Sequence, residues 1–466
     1  MNNTIVNGEL DKHISSIFKA YDIRGIVNNQ LTPKVIEGIG KVLGTMALEA
    51  KSKGLVVGYD GRLSSPSLSK YLISGIQKSG CDVYDIGQVT TPMVYFANYE
   101  LGTYSGIMIT GSHNPPEYNG LKMVINKETI SGEKIQNIKK RLERGDFLDN
   151  QVADIITHDI TEAYLEKITK DVVLKRKMNI IVDCGNGVAG KIAPVLYRRM
   201  GVKVLGLYCD VDGNFPNHHP DPSQIDNLKD LISSLKSTDA EVGLAFDGDG
   251  DRLGVVTRDG NIIFPDRQMM LFVADILEKN PKAKIIYDVK SSRLLSQWIL
   301  EHGGEPILCR TGHSFIKHKI KETGALLAGE MSGHIFFNDR WFGADDGVYA
   351  GARLLEILSQ VEDPSALLNA LPNSISTPEI NIKVADGEQH KIIEKLQKSA
   401  VFKDSTDIIT VDGLRVEYKD GFGLVRASNT TPVLVLRFES ETEEGLEKIK
   451  AQFRSCLHDH VEHINF

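Results

Sequence analysis

The 466-residue sequence predicts an α/β fold of three related mixed α/β domains followed by a smaller C-terminal α+β domain. Short β-branched runs alternate with longer amphipathic segments, which is typical of parallel strands joined by crossover helices. A pair of units, strand–aspartate–helix and then strand–polar loop–strand, occurs three times. After residue 372 the strands become closely spaced and antiparallel in character, and an amphipathic helix is predicted over Thr442–Val461.

The threefold repeat rests on six segments. The strand–aspartate–helix units contain GLVVGYDGR (54–62), NIIVDCGNG (179–187) and AKIIYDVKSSR (283–293). The strand–polar loop–strand units are GIMITGSHNPPEYNGLKMVI (106–125), VGLAFDGDGDRLGVV (242–256) and ALLAGEMSGHIFF (325–337). Any α/β chain contains such pieces, but all three polar loops are chemically unusual, which favours three related domains that each contribute one loop. The predicted domains are 1–157, 158–262, 263–372 and 373–466.

Composition limits the class of protein. The formal charge is −8, from 54 basic and 62 acidic side chains, and this argues against a nucleic-acid partner, which would favour a basic excess. No apolar run approaches the ~18 residues of a membrane span and no signal peptide is visible, so we expect a cytoplasmic protein without a membrane partner. The scattered cysteines predict reduced thiols, not a disulfide framework or a zinc site. They are Cys81, Cys184, Cys209, Cys309 and Cys456.

The strongest motif is DGDGDR, in which Asp247, Asp249 and Asp251 alternate with glycines after an apolar strand. In extended backbone these side chains share a face, and the glycines let the chain curl so that the carboxylates converge. Close carboxylates repel unless a cation balances them, and an all-oxygen set favours Mg²⁺, Mn²⁺ or Ca²⁺ over zinc. An EF-hand is excluded, because Arg252 and Arg258 replace its required Gly and Glu. A solvated acidic turn is the alternative.

Two other loops have side chains that suit a sugar phosphate. In GEMSGH, Glu330 and Ser332 are two residues apart, and a carboxylate that accepts two O–H donors suits a vicinal diol. An ordinary hairpin turn with a capping serine is the alternative. RASNTTP, which begins at Arg426, combines an arginine fork with hydroxyls and an amide, as a phosphate site requires. A Ser/Thr-rich turn is the alternative there.

Ser112, in TGSHNP, is a candidate nucleophile, phosphoryl carrier or turn residue. A G-x-S-x-G elbow would have glycines where Thr110 and Asn114 stand, and the two prolines after Asn114 prevent a helix from starting directly after the serine. An acyl-enzyme is therefore disfavoured. A phosphoserine needs a nearby cation, which the aspartate loop would hold, and Lys122 and His113 would add positive charge or move protons.

Together, TGSHNP, DGDGDR, GEMSGH and RASNTTP resemble the four signature loops of the α-D-phosphohexomutases, and most of all the bacterial phosphomannomutase/phosphoglucomutase branch. The resemblance covers essentially the whole chain, in family order and spacing. It implies four domains around a central cleft, with a mobile fourth domain, in a monomeric protein. The supporting stretches are FKAYDIRG (18–25), GYDGR (58–62), DCGNGVAG (183–190), GNFPNHHPDPS (213–223), DVKSSR (288–293) and RTGHS (310–314).

The resemblance also implies site residues. Ser112 would be phosphorylated in the active enzyme, and one Mg²⁺ per chain would bind Asp247, Asp249, Asp251 and an oxygen of the phosphoserine. Lys122 and His334 are the implied candidates for general acid and base. The implied catalytic residues are Ser112, Arg24, His113, Lys122 and His334. The implied substrate-binding residues are Tyr21, Arg252, Lys290, His313, Glu330, Met331, Ser332, Gly333, His334, Arg426, Ala427, Ser428, Asn429 and Thr430.

The implied reaction interconverts hexose 1-phosphate and hexose 6-phosphate of mannose, glucose or both, through a hexose 1,6-bisphosphate that also serves as activator. The substrate binds in two opposite poses, so Glu330 and Ser332 would hold the O3/O4 edge that both poses share. The loop from Arg426 would hold the phosphate that is not reacting. Met331 resembles the mannose/glucose enzymes. The alternatives are a phosphoglucosamine mutase, a metal-dependent sugar-phosphate phosphatase and a non-catalytic sugar-phosphate binding protein.

Overall fold

The structure is a computed structural model that describes residues 5–6, 9–149, 152–385, 387–428, 431–458, 460–461 and 466. The chain divides into two compact units. The first contains Met1–Pro265 and Ser332–Ala370, and the second contains Asp266–Met331 and Leu371–Phe466. Among the described residues, no helix is both long and apolar enough to cross a membrane.

The first unit begins with a short antiparallel pair, Ile5–Val6 with Glu9–Leu10, and a mixed sheet follows it. Tyr118–Ile125 runs antiparallel to both of its neighbours, and the remaining main-path pairings are parallel. Glu128–Thr129 pairs with Tyr118–Ile125 outside the main path. The strand order is Ile23–Ile26, Tyr118–Ile125, Gly106–Ile109, Leu55–Tyr59, Val83–Gln88 and Ile155–Thr157. The helices of this region are Lys12–Ser15, Pro33–Glu49, Ser65–Lys78, Thr91–Glu100 and Glu133–Arg144.

A second sheet of the first unit has two parallel pairings followed by two antiparallel ones. Its strands are fully buried at the centre, as expected for a sheet covered on both faces. The strand order is Lys203–Leu207, Asn179–Asp183, Val242–Phe246, Leu253–Thr257 and Ile262–Ile263. Its helical segments are Thr161–Asp171, Val188–Lys191, Ala193–Arg199, Ile225–Leu228 and Lys229–Lys236. The unit is completed by Ile335–Phe337, Gly347–Leu358 and Pro364–Asn369.

The second unit combines three parallel strands with an antiparallel sheet. Lys284–Asp288 lies between Glu305–Cys309 and Leu327–Gly329. The antiparallel sheet has the order Ile375–Ser376, Val433–Ser440, Gly421–Ala427, Leu414–Tyr418 and Ser405–Ile409, with Ile380–Lys383 also paired to Val433–Ser440. The helices are Pro265–Lys279, Arg293–Glu301, His313–Thr323, Glu388–Ser399 and Glu443–Leu457.

Buried polar contacts fasten these two parts of the second unit together. The Nη1 atom of Arg415 donates to Val289 O at 2.6 Å and to Ser291 O at 2.7 Å. Ser292 Oγ donates to Glu439 Oε1 at 2.9 Å. The guanidinium of Arg415 is only 2% exposed, so its donors are held by these carbonyls in a setting that water does not reach. The turn after Lys284–Asp288 is thereby attached to the C-terminal antiparallel sheet.

The predicted α/β class is confirmed, and each strand–aspartate–helix unit is present. Asp60 follows the strand Leu55–Tyr59, and the other two aspartates are the last residues of the strands Asn179–Asp183 and Lys284–Asp288. The predicted C-terminal helix is shorter than Thr442–Val461. It spans Glu443–Leu457. Thr442 is its N-cap and accepts from Gly445 N at 3.0 Å, so the helix begins one residue later than predicted.

Candidate active site

Ser112 stands in a left-handed turn between two antiparallel strands, with a φ of +50°. Its amide donates to Thr110 Oγ1 at 2.7 Å. Its hydroxyl donates to Asp247 Oδ2 at 2.9 Å and lies 3.1 Å from His113 Nδ1. The residue is 2% exposed, so the turn directs the hydroxyl at the aspartate loop instead of at bulk water.

Arg62 fastens this serine loop. Its Nη2 donates to Ser112 O at 2.8 Å and to Asn114 O at 2.6 Å. Its Nη1 donates to Pro115 O at 2.6 Å and to Tyr118 O at 3.0 Å. One buried guanidinium therefore binds three carbonyls of the irregular loop and the carbonyl of the first residue of the strand that follows it. The planar fork of arginine makes this possible, because it presents five N–H donors in fixed directions.

Asp60 anchors the start of the same loop. Its carboxylate accepts from Thr110 Oγ1 at 2.8 Å and from Gly111 N at 3.2 Å, and it lies 3.3 Å from Arg62 Nε. A Cβ at Gly111 would lie 2.4 Å from Arg62 Cζ, so this position requires glycine. GYDGR has no predicted role in the site, because nothing local indicates that Arg62 reaches a loop some fifty residues later.

The three aspartates of DGDGDR converge as predicted. Their ligand-capable oxygens lie within 4.8 Å of one another, and all three side chains are fully buried. The loop joins the antiparallel strands Val242–Phe246 and Leu253–Thr257. A Cβ at Gly248 would lie 2.3 Å from Ser112 O, so this glycine lets the aspartate loop and the serine loop meet.

Negative charge is in excess at this cluster of aspartates. Lys122 Nζ donates to Asp249 Oδ2 at 2.7 Å and to Asp251 Oδ2 at 2.5 Å. Burial alone lowers the pKa of Lys122, but the surrounding carboxylates, Asp249 first, raise it above its usual value. Burial raises the pKa of Asp247, and the charges of Asp249 and Asp251 raise it further. Asp249 Oδ1 and Asp251 Oδ1 are buried acceptors without a hydrogen-bond partner in the described part of the chain. Such a donor set fits a divalent cation.

His334 packs beside the aspartate loop. Its Nδ1 lies 3.1 Å from Asp345 Oδ2 and 3.5 Å from Asp251 Oδ1. Arg252 Nε donates to His334 Nε2 at 3.1 Å, which assigns the proton of the neutral ring to Nδ1, on the side of Asp345. Asp251, His334 and Asp345 form a second group with metal-ligand spacing. Asp345 is not among the predicted residues, and its one local signal is the adjacent pair of aspartates at 345 and 346.

Further predicted residues belong to the first unit. Arg24 donates through Nη1 to Asn114 Oδ1 at 2.6 Å and through Nη2 to Asp22 Oδ2 at 2.5 Å, so it also contacts the serine loop. Burial lowers the pKa of His113, and the charges of Arg252 and Arg24 lower it further. The remaining members in this unit are Tyr21, Ser332 and Gly333.

The second unit contains the other predicted residues. Lys290 Nζ donates to Glu379 Oε2 at 2.9 Å, and Arg426 Nε donates to Asp412 Oδ2 at 2.9 Å. The positive charges of Lys290 first, and then of Arg426, lower the pKa of Glu379, so both cations act on the same carboxylate.

The rest of the predicted set divides between this unit and the residues that the structure leaves undescribed. Glu330 Oε1 accepts from Gly312 N at 2.8 Å, and His313 is the first residue of the helix His313–Thr323. Ser428 Oγ lies 3.0 Å from Thr431 Oγ1. Met331 and Ala427 also belong to this unit, whereas Asn429 and Thr430 lie outside the described residues.

Comparison with known proteins decides the family. The phosphoglucomutase/phosphomannomutase models of α/β/α domains I, II and III match residues 15–149, 162–260 and 264–375. The C-terminal domain model of the same family matches residues 379–455. The chain belongs to the phosphoglucomutase/phosphomannomutase family. The predicted phosphohexomutase resemblance, the enzyme class and the four-domain architecture are thereby confirmed, and the boundaries near 157, 262 and 372 stay predictions.

Individual relatives of this family are similar over nearly the whole chain. The phosphoglucomutase of Neisseria gonorrhoeae is 56% identical over 443 residues, covering 95% of this chain and 96% of the relative. The phosphomannomutase/phosphoglucomutase of Pseudomonas aeruginosa is 54% identical over 444 residues, with the same coverage. A crystal structure of a phosphoglucomutase/phosphomannomutase family protein from Burkholderia thailandensis superposes with a TM-score of 0.92 at 51% identity. It covers 97% of this chain and 98% of the other.

In this phosphoglucomutase/phosphomannomutase family member, Arg62→Lys is expected to lower kcat about 10- to 100-fold, because a 1 Å misplacement of the reacting group is costly. One ammonium cannot reach the four carbonyls, and Asp60 loses its 3.3 Å contact with Arg62 Nε although the charge is kept. Steady-state kinetics and a thermal melt measure both effects. Arg144→Lys, on an exposed helical position, is the matched control and should keep full turnover. Full turnover in Arg62→Lys would contradict the anchoring role.

Proposed function

We propose that the protein interconverts hexose 1-phosphate and hexose 6-phosphate of mannose and glucose through a phosphoserine at Ser112. The observation that carries this proposal is the 2.9 Å contact between Ser112 Oγ and Asp247 Oδ2, which places a hydroxyl directly on a cluster suited to a cation. The substrates are supported by the relatives, of which one is called a phosphoglucomutase and another a phosphomannomutase/phosphoglucomutase.

The reaction has two phosphoryl transfers. In the first, the free hydroxyl oxygen of the hexose phosphate bonds to the phosphorus on Ser112, the P–Oγ bond breaks, and the hydroxyl proton passes to a base. The resulting hexose 1,6-bisphosphate turns by half a rotation. In the second transfer, Ser112 Oγ bonds to the other phosphorus, and the departing sugar oxygen receives a proton. The bisphosphate also primes unphosphorylated enzyme by the same second step.

We propose that Asp247, Asp249 and Asp251 hold one Mg²⁺ together with an oxygen of phosphorylated Ser112. The two buried acceptors, Asp249 Oδ1 and Asp251 Oδ1, support this assignment because they need a partner that the described protein does not supply. Bound there, Mg²⁺ would offset the negative charge of the transferring phosphoryl group. Lys122 contributes positive charge at the same cluster, and Arg24 and His113 border the serine loop.

We propose His334 as the group that exchanges the substrate proton, with Lys122 as the alternative. Asp345 is then a positioning residue, because its carboxylate lies 3.1 Å from His334 Nδ1 and would offset the positive charge of the ring when it takes up the substrate proton. Asp345→Asn is expected to lower kcat about tenfold or more, with a smaller change in KM. Initial-rate kinetics measure the two constants separately. Asp259→Asn, at an exposed position, is the control. An unchanged kcat would refute this role of Asp345 and favour Lys122.

Substrate recognition remains assigned from the family resemblance. We propose that Glu330 and Ser332 hold the shared O3/O4 edge and that the loop from Arg426 holds the non-reacting phosphate. The proposal is supported by the pair of cations, Lys290 and Arg426, that act on the carboxylate of Glu379, since a phosphate calls for the same positive surroundings. The other proposed members are Tyr21, Arg252, His313, Met331, Gly333, His334, Ala427, Ser428, Asn429 and Thr430.

Parallel assays with mannose, glucose and glucosamine 1-phosphates test this function, each with a catalytic amount of the matching hexose 1,6-bisphosphate. We expect isomerisation of the mannose and glucose substrates and much slower turnover of glucosamine 1-phosphate. A preference for glucosamine 1-phosphate would instead identify a phosphoglucosamine mutase. Release of free phosphate faster than isomerisation would identify a phosphatase, and binding without turnover would identify a binding protein.

A further inference from the structure

Two of the five cysteines, separated by 25 positions in the sequence, lie side by side. The Sγ atoms of Cys184 and Cys209 are 3.8 Å apart. Each cysteine follows one of two neighbouring parallel strands, Asn179–Asp183 and Lys203–Leu207, at the same edge of the sheet. A disulfide has an S–S length of about 2.05 Å, so the sulfur atoms need to approach by about 1.8 Å to bond. Both thiols are free in the structure.

The surroundings of the two cysteines favour Cys209 as the thiol that reacts with an oxidant. Cys184 is fully buried, whereas Cys209 is partly exposed and accessible to a small oxidant. A Cβ at Gly206 would lie 2.8 Å from Cys209 Sγ, and a Cβ at Gly190 would lie 2.0 Å from Cys209 O. These two glycines therefore make room for Cys209 beside Cys184. The contact between the thiols lowers the pKa of Cys209 and raises that of Cys184, which makes Cys209 the better nucleophile.

We propose that Cys184 and Cys209 are an oxidation site that forms a reversible disulfide on reaction with a peroxide. The thiolate of Cys209 attacks one oxygen of hydrogen peroxide, the O–O bond breaks, and hydroxide leaves to give a sulfenic acid. The sulfur of Cys184 then attacks Cys209 Sγ, the S–O bond breaks, and water leaves with the thiol proton. Two thiols are oxidised, one peroxide is reduced, and two molecules of water form. A thiol reductant reverses the reaction.

The pair is connected to the aspartate loop by the turn over residues 184–188. Asn186 N donates to Tyr208 O at 2.8 Å, so the turn is bonded to the residue before Cys209. Val188 N donates to Gly248 O at 3.2 Å, and a Cβ at Gly187 would lie 2.9 Å from Gly248 Cα. Drawing Cys184 towards Cys209 therefore displaces a turn that supports the backbone between Asp247 and Asp249. This effect on turnover rests on the proposed function.

Peroxide treatment followed by non-reducing peptide mapping tests the site. We expect a peptide pair bridged between Cys184 and Cys209, with a loss of two hydrogen atoms from the intact mass. Mutase turnover should fall about tenfold, because ångström-scale displacement of catalytic groups is costly, and dithiothreitol should restore both mass and turnover. Cys209→Ser should form no bridge and keep its turnover under peroxide. Cys456→Ser, which removes another partly exposed thiol, is the matched control and should behave as wild type.

Each alternative result has a definite meaning. Oxidation of Cys209 to sulfinic acid without a bridge, or a bridge from Cys209 to another cysteine, would overturn the oxidation site. A Cys184–Cys209 bridge with undiminished turnover would overturn the connection to the aspartate loop. Absence of mutase turnover in the fully reduced protein would overturn the proposed function, while peptide mapping would still decide the disulfide. Cys209→Ala provides a second variant, and thermal melts of both variants show whether either change disturbs folding.

Discussion

Ser112→Ala is expected to lower mutase turnover by at least about 1,000-fold, because removal of the atom that carries the transferred group removes the covalent pathway itself. The hydroxyl of Ser112 donates directly to Asp247 Oδ2 at 2.9 Å. Turnover is measured by coupled assay of hexose 6-phosphate formation. Intact-mass analysis measures the second expected result, which is loss of the phosphate carried by the purified enzyme.

An exposed serine provides the control that separates loss of the phosphoryl carrier from any general effect of removing a hydroxyl. Ser233 is exposed on the helix Lys229–Lys236, and Ser233→Ala should keep full turnover and the phosphate. Ser112→Thr keeps the hydroxyl but places a β-branched residue at a φ of +50°, which is strained, so we expect a large loss there too. Undiminished turnover in Ser112→Ala, or phosphate mapped to another residue, would refute the phosphoserine mechanism.

Asp247→Asn is expected to lower Mg²⁺ affinity by at least about 100-fold, since one of three charged oxygen ligands is replaced by an amide. The amide oxygen can still accept from Asp251 N and Arg252 N, which now donate to Asp247 Oδ1 at 3.1 and 3.2 Å. Burial and the neighbouring carboxylates raise the pKa of Asp247, so its charge is unfavourable without a cation. The metal-free variant should therefore be at least as stable as the metal-free wild type.

Titration calorimetry measures the affinity, and melting temperatures with Mg²⁺ or with EDTA measure the stability. Wild-type protein should melt higher with Mg²⁺ than with EDTA, whereas Asp247→Asn should show little difference. Asp226→Asn, at an exposed position beside Lys229, is the matched control. Unchanged Mg²⁺ affinity combined with lost turnover would show that Asp247 acts on Ser112 and is not a metal ligand.

Local patterns in the sequence predicted the framework of the site well. The spacing of Asp247, Asp249 and Asp251 after an apolar strand predicted their convergence, because alternation along extended backbone is a short-range property. The same holds for the strands on either side of the serine loop. Both features depend on residues within a few positions of one another, where periodicity and glycine placement carry the information.

The supporting contacts were not predictable in the same way. Arg62 binds four carbonyls within residues 112–118, and Asp345 contacts His334 although the strand Ile335–Phe337 and an irregular segment separate them in sequence. These contacts join segments that the fold alone brings together, and the residues involved stand in stretches that any turn could contain. The approach of Cys184 and Cys209 is a further case, because it depends on the parallel register of two strands.

Arg415 links the turn that carries Lys290 to the antiparallel sheet of the second unit. It binds the carbonyls on both sides of Lys290 and belongs to Leu414–Tyr418, the strand next to the one that carries Arg426. The turn that carries Lys290 is therefore hydrogen-bonded to the sheet that carries Arg426, within the same compact unit. A phosphate that engages both cations has to displace the carboxylate of Glu379, which accepts from Lys290 Nζ at 2.9 Å and is also acted on by the charge of Arg426. The second negative charge and the additional oxygens of a phosphate favour that exchange.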